Sequence, residues 1–196
     1  MVGVDPGTLS PWQASLLYLK LGFVHIIPLG FDHILFITGI FLLKPKLSSI
    51  MWQATAFTVA HSVTLGLAMY GVISPKSSVI EPLIALSIAF IAIENIVVNS
   101  INVWRIVVVF LFGLIHGLGF ASVLSEFGLP SALFIPSLIS FNVGVELGQF
   151  TIIFAAYFLV IKWVKKKEWY KNRIVIPSSS LIALIAIYWT VQRIFF

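Results

Sequence analysis

The sequence predicts an all-α fold: a polytopic membrane helix bundle of six transmembrane helices with a short N-terminal interfacial helix. Three observations predict it. Of 196 residues, 60% are hydrophobic and 10% are charged, where a soluble domain carries about 25% charged residues. Mean hydropathy is +1.08. Six apolar runs of about 20 residues, the length that crosses a bilayer, follow one another with only short polar connections.

The net charge of +5 does not point to nucleic acid, because six of the twelve basic residues sit in one stretch, Lys162 to Arg173. There are no cysteines, which removes disulfides, thiolate ligands and thiol catalysis.

Residues 1–24 read as an N-terminal extracytoplasmic segment, and residues 25–196 as the six-helix transmembrane domain. Met1 to Pro11 lacks a basic n-region and is interrupted by Asp5-Pro6-Gly7, so a cleavable signal is not expected. Ser10-Pro11-Trp12-Gln13 has the residues of a helix start: a capping serine, a first-turn proline and a glutamine able to reach back. Trp12, Leu16, Leu19 and Phe23 then fall on one side. That suits a helix at the membrane surface, or equally an N-terminal extension of the first span.

The spans are read at 25–43, 50–73, 79–99, 104–124, 132–161 and 174–195. The fifth is overlong, and Pro136 marks a place where it can tilt or break. Glu81 follows Ser78 by three residues and suits a capping box for the third span. Basic residues prefer cytoplasmic loops. Placing Lys162–Arg173 inside puts Lys44, Lys46 and Arg105 inside too, leaving only Lys20, Lys76 and Arg193 outside. Both termini are then extracytoplasmic.

Polar groups within these runs carry the functional reading, since ionisable residues in a membrane are costly and usually functional. His25 lies near the outer surface if the first span is a regular helix, and Asp32 and His33 about 11–12 Å further in at ~1.5 Å per residue. His61, His116 and Glu146 fall near the middle of the second, fourth and fifth spans, and Glu94 toward the inner half of the third. His33, His61, His116, Asp32 and Glu146 thus come to one level, where they can satisfy one another. Pro28 and Gly30 mark a kink or unwinding between His25 and Asp32. Gly113-xxx-Gly117 and Gly144-xxx-Gly148 predict close helix packing. Thr55, Thr58, Ser62 and Thr64 are expected to bond to their own helix. Imidazole nitrogen with carboxylate oxygen suits nickel, zinc, copper(II), cobalt or iron.

These residues also form motifs. His25-Ile-x-Pro-x-Gly-x-Asp32-His33-Ile-Leu-Phe, Thr58-x-Ala-His61-Ser62-x-Thr64-Leu, Glu94-Asn95, Phe112-Gly-Leu-Ile-His116-Gly-x-Gly-Phe-Ala and Phe141-Asn142-x-Gly-Val-Glu146-x-Gly-Gln149 are read in order. Together they resemble the HupE/UreJ family of membrane proteins, hydrogenase and urease accessory proteins generally described as nickel permeases. The resemblance runs from about residue 21 to 150 and is to the branch whose first motif has this spacing. It implies a metal ion as partner, nickel before zinc or copper, and a bacterial inner (cell) membrane.

The first functional expectation is a metal permease. His25 captures the ion at the mouth, Asp32, His33, His61, His116 and Glu146 hold it, and Glu94 leads inward. Six spans are few for a lone transporter, so a homo-oligomer or a partner protein in the lipid bilayer is expected. The alternative is a membrane-embedded zinc hydrolase, with three histidines on zinc and Asp32 or Glu146 as base.

Overall fold

The computed structural model describes residues 9–43, 45–74, 76–100, 103–127 and 133–196, without the side chains of 122, 123 and 125–127. Residues 1–8 of the N-terminal segment and Lys44 of the charge argument lie outside the described residues.

The chain is a polytopic membrane helix bundle. In order the helices are α1 (Pro11–Ile26), α2 (Phe31–Leu43), α3 (Leu47–Met69), α4 (Ser77–Val97), α5 (Trp104–Phe127), α6 (Phe134–Ala156) and α7 (Ile176–Phe195). A π-helical turn, Tyr157–Ile161, prolongs α6, and another, Lys171–Val175, leads into α7. Four helical runs are long and apolar enough to cross a membrane: Ser77–Val97, Trp104–Ala121, Phe134–Val164 and Lys171–Phe195. α1 and α2 meet that test only together, as a pair bent by 67°. α3 is 23 residues long, but Gln53, Thr55, Thr58, His61, Ser62 and Thr64 give it more polar content than the others.

The bend corrects the expected first span. α2 alone, 13 residues, reaches only ~20 Å, short of the ~30 Å hydrocarbon core. It is instead a central helix, packed on α1, α3, α4, α6 and α7, with Phe36, Ile37, Ile40 and Phe41 buried. The capping box at Ser10 and Gln13 is formed. α1 buries Ala14, Tyr18, Gly22 and Ile26, one per turn, and lies along α6. Its buried face is thus turned to the bundle.

Glycines set the tightest contacts, as their spacing predicts. A Cβ on Gly144 would overlap the Leu19 carbonyl, and one on Gly22 the Phe141 carbonyl, so α1 and α6 touch backbone to backbone. A Cβ on Gly113 would come within 2.6 Å of Phe57 O, and one on Gly117 would overlap the His61 carbonyl, so α5 lies equally close on α3. Pro136 breaks nothing, because α6 begins at Phe134 and the proline sits in its first turn, where no N–H is needed. The Ser78–Glu81 capping box is not formed. α4 starts at Ser77, which leaves Ser78 inside the helix, and its N-cap Lys76 makes no side-chain bond.

Two ends of the bundle are distinct. At one, Tyr170 Oη donates to Leu42 O at 2.9 Å, and Lys171 Nζ bonds Val98 O at 3.1 Å and the Asn99 side chain. At the other, Arg193 reaches Asp32 and the Glu81 carbonyl. The basic Lys162–Arg173 stretch is thus gathered at one end with the C-termini of α2 and α4.

Candidate metal centre

The site forms where the α1–α2 bend meets α3 and α5. His25 lies in the last turn of α1 and His33 in the first turn of α2. Because the chain turns between them, their rings stand 4.7 Å apart, centre to centre. The expected 11–12 Å step in depth from His25 to His33 is therefore corrected: it assumed a regular helix, and the break at 27–30 brings both to one level. His61 of α3 lies 6.1 Å from His25 and 5.9 Å from His33. One ring nitrogen from each of His25, His33 and His61 lies within 4.8 Å of the other two. Among the described residues this is the one such trio. His116 of α5 stands 5.0 Å from His33 but outside the trio.

The Nε2 atoms of His25, His33 and His61, and Nδ1 of His116, are buried without a hydrogen-bond partner. A buried polar atom left unpaired costs about 1–3 kcal/mol, and four in one place call for an occupant. Nitrogen donors bind an ion of the nickel, copper, zinc or cobalt class. Metal–nitrogen distances are about 2.0–2.1 Å, so the three rings, with nitrogens within 4.8 Å of one another, could hold an ion by drawing together. Phe36, Phe57, Phe120 and Phe141 wall the group; Phe120 lies 3.8 Å from the His25 ring and Phe57 5.0 Å from His116. Two polar side chains reach the rings from outside: Asn142 Oδ1 is 3.4 Å from His61 Nδ1, and Ser87 Oγ is 2.9 Å from His116 Nε2.

The carboxylates expected as ligands are each held elsewhere. Asp32 is bonded through both oxygens to Arg193 Nη2, at 3.2 and 3.0 Å. Glu146 accepts from Thr55 Oγ1 at 2.6 Å. Glu94 pairs with Arg105 Nη1 at 2.7 Å, in a network with Asn95, Ser179 and the Gly39 carbonyl. None of the three belongs to the trio. Asp32 does line, with His25, His33 and His116, a cavity of about 640 Å³ whose rim includes Glu81, Trp189 and Arg193. Exposure falls inward, from Leu29 and Phe31 at 71% and 65% to His33 and His116 at 6% and 1%. His61 stands behind that cavity.

The sequence reading passed over Arg193, Ser87, Asn142 and the phenylalanine walls as parts of the site. Arg193 appeared only as a basic residue outside the membrane, and nothing in spacing links it to Asp32, 161 positions earlier. Two hydroxyls expected to bond their own helix cross to another: Thr55 to Glu146, and Thr58 to Gln149 at 3.4 Å. Thr64 does both, reaching Leu114 O at 2.7 Å and its own helix at Ala60 O and His61 O, each 3.4 Å. Ser62 does bond its own helix, at Thr58 O.

A protein-family model described as HupE / UreJ protein matches residues 6–193. No curated protein and no solved structure matches the chain.

Proposed function

The chain belongs to the HupE/UreJ family, and from that premise we propose that it binds a transition-metal ion, nickel foremost, and passes it across a bacterial inner membrane. The observation that supports this most directly is the meeting of three imidazole nitrogens, from α1, α2 and α3, within 4.8 Å inside a membrane bundle. His25, His33 and His61 hold the ion. His116, beside His33 and lining the cavity, receives it next. Asp32, with Arg193, sets the charge at the cavity mouth. Glu146 and Glu94 lie on the path toward the far end, where the basic Lys162–Arg173 stretch marks the cytoplasmic face and both termini are extracytoplasmic. A site of neutral imidazoles can hold an ion firmly enough to select it and still release it, as conduction requires.

The zinc-hydrolase reading, with His33, His61 and His116 as ligands, shares two histidines with that trio, but its candidate bases, Asp32 and Glu146, are bonded to Arg193 and Thr55. That favours transport over hydrolysis.

Metal analysis of detergent-purified protein, joined to nickel accumulation in reconstituted vesicles, tests the proposal. Wild type is expected to hold about one ion per chain and to load vesicles, and His33→Ala or His61→Ala to do neither. Stoichiometric nickel without accumulation would leave a storage or sensing role. No transition metal in the wild type would end the metal reading.

A further inference from the structure

Two side chains next to the histidines are oriented by hydrogen bonds they donate to backbone carbonyls. Ser87 Oγ donates to Ile84 O at 2.7 Å, and a hydroxyl has only one proton. A carbonyl oxygen only accepts, so that proton is committed. At 2.9 Å from His116 Nε2, the serine can then only accept, and the imidazole must donate from Nε2. The same reasoning applies at Asn142. Its Nδ2 donates to Leu138 O at 2.8 Å, which turns Oδ1, an acceptor, toward His61 Nδ1 at 3.4 Å. His61 therefore carries its proton on Nδ1.

A neutral imidazole has one N–H and one lone pair. With Nε2 of His116 protonated, its lone pair is on Nδ1; with Nδ1 of His61 protonated, its lone pair is on Nε2. Those two atoms are the ones the structure leaves buried and unpartnered. In each ring the nitrogen left with the lone pair is thus the one without a hydrogen-bond partner.

We infer that Ser87 and Asn142 are positioning residues that fix the tautomers of His116 and His61, so that His116 offers a metal ion Nδ1 and His61 offers Nε2. Ser87 is the stronger of the two locks, because its contact is shorter by half an ångström. The backbone bond that orients each partner lies within one turn of its own helix, so the locks stand without an ion. Partners of this kind orient a ligand ring and raise its basicity, and their loss typically costs about 10- to 100-fold in metal affinity.

The inference rests on the metal-site reading but is tested apart from it. The full-length protein, freed of metal with a chelator and labelled with ¹⁵N-histidine, is examined by NMR, with His116→Gln and His61→Gln used only to assign signals. The wild type is expected to show His116 protonated at Nε2 and His61 at Nδ1. Ser87→Ala should mix the His116 tautomers, while Ser87→Thr, which keeps the hydroxyl, holds them near wild type; Asn142→Ala, which removes the partner of the trio's His61, should weaken nickel binding about 10- to 100-fold. Wild-type His116 protonated at Nδ1, or a Ser87→Ala protein with the His116 tautomer unchanged, would overturn the inference. If Ser87→Ala does not fold, the wild-type spectrum still decides. Correct tautomers in a wild type that binds no nickel would sink the transport reading and leave this one standing.

Discussion

Arg193 Nη2 on α7 clasps both oxygens of Asp32 on α2, at 3.2 and 3.0 Å, across the cavity that leads to the histidines. The two side chains are 22% and 24% exposed, so the pair is in contact with solvent and adds little to stability. Its effect is on charge at the mouth. Arg193→Gln leaves a free carboxylate and is expected to raise the initial rate of nickel uptake by roughly 2- to 10-fold at low ionic strength. Asp32→Asn leaves a free cation and is expected to lower it by a similar factor. Both effects should shrink in physiological salt, where the screening length is about 8 Å. Uptake by vesicles at two salt concentrations checks sign and screening together.

The Glu94–Arg105 pair behaves differently, because the arginine side chain is fully buried and the glutamate is 25% exposed. Glu94→Gln strands a buried cation, and breaking a buried pair from one side costs about 3–5 kcal/mol. Arg105→Met removes the buried charge and leaves Glu94 access to water, so it should cost less. The double variant is expected to be more stable than Glu94→Gln alone. Thermal unfolding of the three proteins in one detergent gives the order.

The glycine contacts make a graded prediction. At Gly144 the obstacle to a methyl group is the Leu19 backbone, which cannot rotate away; at Gly119 it is the tip of the Ile84 side chain, Cδ1 at 2.5 Å, which can repack. Gly144→Ala should therefore destabilise by about 1–3 kcal/mol, and Gly119→Ala by less. Gly144→Ala also pushes on the helix that carries His25, so nickel affinity should fall with stability. Equal melting shifts for the two variants would contradict this account.

Tyr170 lies in the connection between α6 and α7, outside the spans, and burial pushes its phenol up to about 12. An unfolded tyrosine ionises near 10. The folded state thus keeps a proton that the unfolded state gives up, and this contribution is fully present below about pH 10 and lost as pH rises to about 12. Wild type should lose stability more steeply than Tyr170→Phe across that window. Alkaline unfolding curves of the pair test it.

Much of this molecule is legible in the chain, and the limits have physical causes. The membrane class follows from composition, and the close helix pairs follow from Gly113, Gly117, Gly144 and Gly148, whose missing side chains mean the same thing in any fold. His61 and His116 could be matched by depth, because each sits well inside one helix. His25 could not. Its position depends on a bend whose direction Pro28 and Gly30 announce without specifying, and depth counted along a straight helix therefore misplaced it. Asp32, Glu94 and Glu146 were legible as charges needing partners. Which partner each takes is decided by Arg193, Arg105 and Thr55 on other helices, and tertiary packing alone brings those together.

For an ion held as proposed, the elbow between α1 and α2 also bears on release. His25 and His33 ride on opposite arms, each only a few residues from the pivot. At a radius of roughly 6 Å, about four residues of rise, a swing of about 10° carries a ring about 1 Å. Metal–ligand distances hold to within about 0.2 Å. A slight flexing of that joint would thus be enough to loosen a three-imidazole grip on an ion.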